Sequence, residues 1–192
     1  MEKIRTFVAI SLTSILQDHL ERLITEMRPL AEGVKWVTPQ SVHLTLKFLG
    51  NLTPAELEKV FTGMKIAQNE FAEPFVIQAS GTGCFPAVRR PRVLWVGLTG
   101  ASMTQLQTLQ NRIELQLKDQ GFPLENRSFK PHLTVARVRD HRLLGGFMEK
   151  YMSYDFPVTD LPVTELKVMR SDLRPQGAVY SVQKTYKLRE VT

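Results

Sequence analysis

The sequence predicts an α+β fold of two pseudo-symmetric lobes, each an antiparallel sheet with outer helices, with an active-site cleft between the sheets. Two observations carry that prediction. Strand-like segments alternate with amphipathic helices along the whole chain. One strand–helix–strand pattern also occurs twice. Arg5-Thr6-Phe7-Val8-Ala9-Ile10, a helix and His43-Leu44-Thr45-Leu46 make the first copy. Arg92-Val93-Leu94-Trp95-Val96-Gly97-Leu98, a helix and His132-Leu133-Thr134-Val135 make the second. Phe7 precedes His43 by 36 residues, Trp95 precedes His132 by 37, and the two histidines lie 89 apart in a chain of 192. A repeat of this kind predicts an internal duplication within a single bilobal domain, 1–192.

The elements follow in order. Ile4 to Ile10 reads as a strand, free of breakers. Leu16, Leu20, Leu23, Ile24 and Met27 then recur at helical spacing, with Pro29 just beyond. Val34 to Val37 is a short strand and Ser41 to Gly50 a longer one. Thr53-Pro54-Ala55-Glu56 is a helix start: Thr53 can cap, Pro54 suits the first helical position and Glu56 completes a capping box. Leu57, Val60, Phe61 and Met64 supply that helix's apolar face. Phe75 to Ala79 is a strand, followed by a glycine-bearing stretch to Pro86. Arg92 to Leu98 is a strand. Met103 to Gln120 is a helix that carries Leu106, Leu109, Ile113 and Leu117 on one face and stops at Gly121. Pro131 to Val138 is a strand. Segment 140–150 is ambiguous because Gly145-Gly146 interrupts a helix. Val163 to Arg170 and Val179 to Leu188 close the chain as strands, and no Pro-, Gly- or Ser-rich linker divides it.

Composition narrows the class. Hydrophobic residues make up 43% and charged residues 23%, ordinary values that exclude disorder and low-complexity architecture. No run approaches the roughly 18 apolar residues of a membrane span, and the start, Met1-Glu2-Lys3-Ile4-Arg5, has no signal-peptide pattern. One cysteine, Cys84, allows no internal disulfide and argues against a thiolate zinc site. The expectation is a cytoplasmic protein, and nothing demands more than a monomer. A net charge of +6 favours polyanionic partners such as nucleic acid, though basic charge alone does not establish one.

The chemistry lies in the histidines. There are four: His19, His43, His132 and His141. Two of them open the same His-Leu-Thr-aliphatic tetrad. Residues two apart on a strand share a face, so His43 and Thr45 point one way while Leu44 and Leu46 point into a core. His132 and Thr134 repeat this. Two strands related by a pseudo-twofold would aim both His/Thr pairs into one cleft. An imidazole can be acid or base near neutrality, so one histidine can take a proton from water while its partner gives one to a leaving oxygen. That pairing suits cleavage of a phosphodiester, with threonine hydroxyls donating to the non-bridging oxygens. Histidines lining a surface with no function, or ligating zinc, are the competing readings. The symmetric repeat opposes the first. The lack of a His-Glu-x-x-His, Cys-x-x-Cys or carboxylate cluster opposes the second. The expectation is a site with no metal and no cofactor. His19, on the border of the first helix stripe, and His141, in a basic loop, read as solvated bystanders.

The paired His-x-Thr-x motifs resemble those of the two-histidine (2H) phosphoesterase superfamily. Their surroundings resemble its bacterial and archaeal branch, the RNA 2′,3′-cyclic phosphodiesterases once named 2′-5′ RNA ligases. The resemblance covers nearly the whole chain. It rests on Arg5 to Ile10, Trp36-Val37, His43 to Gly50, Phe85-Pro86, Arg90 to Trp95 and Phe129 to Arg137. It implies that His43 is the proton donor to the leaving 3′ oxygen, that His132 activates water, and that Thr45 and Thr134 bind phosphate. The implied product is an RNA end bearing a 2′-phosphate, and the family also joins such cyclic ends to a 5′-hydroxyl. Strand alternation by itself does not say which histidine is the acid.

Three further features are candidates for substrate contact. Arg137 can hold phosphate bidentately, but simple alternation puts it opposite His132, so it needs a bulge or a strand end. Phe48 can stack a base, but its parity also opposes His43 and favours the core. Arg89, Arg90 and Arg92 form a basic loop that either meets RNA or is solvated. Three classes stay open from the residues alone: a hydrolase of RNA cyclic ends, a ligase or small cyclic-nucleotide phosphodiesterase using the same site, and a non-catalytic RNA-binding protein.

Overall fold

The computed structural model describes residues 3–71, 73–174 and 177–188; Met1 and Glu2, part of the amino-terminal reading, lie outside the described residues. The elements are β1 (Ile4–Ser11), α1 (Ser14–Met27), β2 (Val34–Trp36), β3 (His43–Leu52), α2 (Pro54–Glu70), β4 (Phe75–Phe85), β5 (Val93–Thr99), α3 (Met103–Asp119), β6 (His132–Val138), α4 (Phe147–Met152), β7 (Thr159–Val163), β8 (Glu165–Arg174) and β9 (Gly177–Lys187). Two of the helices start at side-chain caps. The Thr13 hydroxyl accepts from the Leu16 amide, and Thr53 and Glu56 cap each other's backbone at α2.

The strand order is β7-β4-β5-β6-β3-β1-β8-β9, with β2 also paired to β6. Read outward from the middle, the order repeats. β5 and β6 flank α3 in sequence as β1 and β3 flank α1. β4, which follows the first unit, pairs with β5, and β8, which follows the second, pairs with β1. Each half is therefore an antiparallel sheet completed by a strand from the other. The two expected sheets are not separate. They join through one register pair, Leu44 opposite Leu133, and the rest of that edge of β6 pairs with β2 at Trp36, Lys35 and Val34.

The helices cover the face opposite the His/Thr rows. Leu16, Leu20 and Leu23 of α1, Val60 and Met64 of α2, and Leu106, Leu109, Ile113 and Leu117 of α3 are buried in one cluster with Leu44, Leu46, Leu133 and Val135. That single core spans both lobes. Burial of such aliphatic side chains contributes about 1.5–3 kcal/mol each, which holds the two halves as one body.

Three local differences from the sequence reading have physical causes. β4 runs past Ala79 to Phe85, because Gly81 (φ +66°) lies at a register shift that lets pairing with β5 resume. β7, Thr-Asp-Leu-Pro-Val, escapes a pattern search because Pro162 reads as a breaker. Here the strand is at the sheet edge, where proline is tolerated, and it buries Thr159, Leu161 and Val163 in alternation. The ambiguous 140–150 segment contains the start of α4, which begins after Gly146 and buries Phe147, Met148 and Tyr151.

Candidate active site

The site forms on the exposed face of the sheet along the junction of β3 and β6. His43, Thr45, His132 and Thr134 all line one cleft of about 770 Å³. Extending the Leu44–Leu133 register by one residue each way sets His43 across from Thr134 and Thr45 across from His132. The four residues then mark the corners of a quadrilateral with the histidines on a diagonal. Such diagonal neighbours in a regular ladder lie about 7–8 Å apart.

Both strands carry a bulge at the same place. Ala9 pairs with Thr45 and Val8 with Lys47, so Leu46 is the extra residue of β3; Trp95 pairs with Thr134 and Leu94 with Ala136, so Val135 is the extra residue of β6. An extra residue reverses the alternation that follows. Lys47 and Ala136 therefore turn inward and are buried, while Phe48 and Arg137 turn to the cleft, are exposed and line it. The expectation that parity sends Phe48 to the core is corrected by this bulge, and the bulge Arg137 requires is present. The register also equates Trp95 with Ala9, not with Phe7; Phe7 corresponds to Val93.

The two imidazoles are anchored alike. His43 Nδ1 is 2.9 Å from the Ser41 carbonyl oxygen and His132 Nδ1 is 2.6 Å from that of Lys130. A carbonyl only accepts, so each Nδ1 keeps its hydrogen and donates it. Nε2 is then the atom that gains or loses a proton, and it has no hydrogen-bond partner among the described residues. Their surroundings differ. His43 stacks on Phe7 (centroids 4.6 Å, 27°) and meets the edge of Tyr180 (4.9 Å, 85°), whereas among the described residues the one ring that His132 meets is Phe85, edge-on (5.0 Å, 86°). This enclosure pushes the His43 imidazole below its ordinary value, against the opposing effect of its bond to Ser41. Thr45 and Thr134 are half-buried, and neither hydroxyl is hydrogen-bonded among the described residues.

Beyond these, the cleft is lined by Arg5, Asn51, Arg127, Ser171, Leu173 and Tyr180 among others. Sequence reading missed most of them. Phe7 carried a signal, since it lies on the strand that pairs with the first motif. Tyr180 carried none, since it arrives on the β8–β9 hairpin from the far end of the chain. Arg127 is paired with Glu125 at 3.2 Å. Arg89, Arg90 and Arg92 are exposed in the β4–β5 turn, and none lines the cleft. His19 is not a solvated bystander. Its Nδ1 is 2.7 Å from the Thr159 hydroxyl and its ring meets Phe156, so it ties α1 to β7. His141 is exposed, as expected. Among the described residues no three His, Cys, Asp or Glu side chains are grouped to hold a metal ion, and no helix is long and apolar enough to cross a membrane.

Comparison with known proteins bears on this site. The profile of the family described as LigT like phosphoesterase matches residues 10–95 and, separately, 96–180. The RNA 2′,3′-cyclic phosphodiesterase of Aquifex aeolicus (strain VF5) is 30% identical over 98% of this chain and 99% of its own. That of Methanothermobacter thermautotrophicus (strain Delta H) is 31% identical over 97% of this chain and 100% of its own. A crystal structure from Thermus thermophilus matches with a TM-score of 0.75 and 28% identity, over 96% of this chain and 98% of that one.

Proposed function

Because the chain belongs to the LigT-like phosphoesterase family, we propose that it hydrolyses 2′,3′-cyclic phosphodiester ends of RNA to 2′-phosphomonoesters, without a metal ion. The observation that carries this reading is the pair of anchored histidines, each with its Nε2 unbonded among the described residues, on two strands that line a single cleft. The relatives named above support the choice of substrate.

A water oxygen attacks phosphorus and the bond from phosphorus to the 3′ oxygen breaks. One Nε2 takes the water's proton and the other gives a proton to the 3′ oxygen, so the products are a 2′-phosphate and a 3′-hydroxyl. Thr45 and Thr134 donate to the non-bridging oxygens, whose charge must be held as the five-coordinate state forms. The family resemblance makes His43 the donor and His132 the acceptor. The enclosure of His43 is compatible with that order. Burial favours the neutral ring in the empty cleft, and the negative charge of a bound cyclic phosphate favours the imidazolium beside it, so His43 takes up its proton with the substrate. Arg137 offers its guanidinium to an RNA phosphate from the β6 side, and Phe48, across from Phe7, offers a face for a base. The twofold match of the family profile supports one bilobal domain arising by duplication. The chain acts as a monomer in the cytoplasm on this reading, a setting that the single Cys84 suits.

Single-turnover hydrolysis of an oligonucleotide with a 2′,3′-cyclic end tests it, with the product identified as the 2′-phosphate. His43→Ala or His132→Ala should slow the reaction about 10²–10⁴-fold, and Thr45→Ala or Thr134→Ala about 10–10³-fold. A chelator should leave the rate unchanged. Near-wild-type turnover in a folded His43→Ala or His132→Ala protein refutes the mechanism.

A further inference from the structure

We propose that the RNA strand leading to the cyclic end leaves the cleft over β2 and β6, with a phosphodiester seated between Lys35 and Arg137; this rests on the function proposed above. Arg137 is paired in register with Lys35 of β2 on one side and with Val93 of β5 on the other. Residues directly opposite in an antiparallel ladder stand on the same face. Arg137 and Val93 both line the cleft, as does Val37, two residues beyond Lys35. Lys35 therefore continues the cleft wall outward from the catalytic residues.

The charge arrangement points to an anion. Lys35 and Arg137 are both exposed, and neither forms an ion pair among the described residues. Like charges directly across a ladder repel, and here no carboxylate relieves them. A phosphodiester between the two would turn that repulsion into two attractions, one of them a guanidinium fork suited to phosphate. The opposite end of the cleft is different. There the position equivalent to Arg137 is Phe48, across from Phe7, and the cation Arg5 stands across from Asn51. An end where Phe7 and Phe48 stand beside one cation and an end where two cations face each other give the otherwise twofold site a direction, with the terminal base toward Phe48 and the preceding backbone toward Lys35.

The test substitutes Lys35→Ala, with Lys35→Arg as the conservative rescue and a thermal melt as the folding control. Binding is titrated against salt with a short oligonucleotide ending in a 2′-phosphate, and hydrolysis is compared between a cyclic-ended oligonucleotide and a 2′,3′-cyclic mononucleotide. Loss of one single-strand phosphate contact should flatten the log–log salt slope by about 0.7, equivalent to on the order of an eightfold loss of affinity at 0.05 M relative to 1 M salt. KM for the oligonucleotide should rise with it. The mononucleotide has no preceding phosphodiester, so its kcat and KM should not change, and Lys35→Arg should restore the slope. An unchanged slope, or an equal loss on the mononucleotide, overturns the proposal. If the wild-type protein hydrolyses neither substrate, the proposed function fails, while the binding titration still decides the role of Lys35.

Discussion

The bulge that turns Phe48 to the cleft turns Lys47 into the core, and the consequence can be measured. The Lys47 side chain is 4% exposed and donates to Glu114 Oε2 of α3 at 2.6 Å and to the Pro123 carbonyl at 2.8 Å. Glu114, 11% exposed, also accepts from the Gln110 side chain and the Glu125 backbone, each at 3.2 Å. Lys47→Met removes the cation and leaves the carboxylate with two neutral donors. An uncompensated buried charge of this kind costs about 3–5 kcal/mol. In a domain of this size each kcal/mol lowers Tm by about 2–4 °C, so the melt should fall by about 6–20 °C. Adding Glu114→Gln removes the stranded charge and keeps an acceptor for Glu125, so the double variant should recover to within about 1 kcal/mol of wild type. Thermal and urea melts of the two single variants and the double one decide the matter. If Lys47→Met melts within about 2 °C of wild type, or if the double variant is no more stable than Lys47→Met, the ion pair is not what holds this part of β3 against α3.

Two more predictions concern the surroundings of the motifs. Burial holds folded His43 below the unfolded value of about 6.5. The unfolded chain therefore binds more protons as pH falls, so His43 costs no stability above about pH 6.5 and destabilises progressively below it; a His43→Asn variant, which keeps a donor for the Ser41 carbonyl, should lose less Tm than wild type between pH 7 and 5, and parallel curves would contradict this enclosure. Gly83 lies across from Trp95, and a Cβ there would meet the indole at 2.1 Å, so Gly83→Ala should destabilise by about 1–3 kcal/mol and, because Trp95 packs on Phe85 and Phe85 on His132, should slow hydrolysis at unchanged pH optimum; a variant as stable and as fast as wild type would count against that chain of contacts.

What was legible in the sequence stops where alternation stops. His43, Thr45, His132 and Thr134 precede the bulges, so a period of two places them on one face, and the repeat supplies the partner strand. Phe48 and Arg137 follow the bulges, and the same rule misplaces both. Nothing local announces the extra residue: Leu46-Lys47 and Val135-Ala136 share only their place after the threonine. The sequence does hold one clue in Lys47, a cation inside an otherwise apolar run, which is tolerated only because Glu114 waits on a helix 67 residues away. Tyr180 and Pro162 lie beyond local reading for a related reason, since hairpin geometry and edge position are properties of the assembled sheet.

The same pair of bulges makes a symmetric site directional. The duplicated tetrads offer equivalent histidines and threonines, each histidine held through Nδ1 by the carbonyl two residues before it. A substrate meeting only those groups could bind in either orientation, with either histidine as acid. On the function proposed above, the fifth residue after each histidine removes the degeneracy, because one bulge presents Phe48 beside Phe7 and the other presents Arg137 beside Lys35. Tyr180 adds to the difference by packing edge-on against His43. On the function proposed above, the distinction between proton donor and acceptor would come from what differs between the two motifs: the residues just past the bulges and the hairpin that packs over His43.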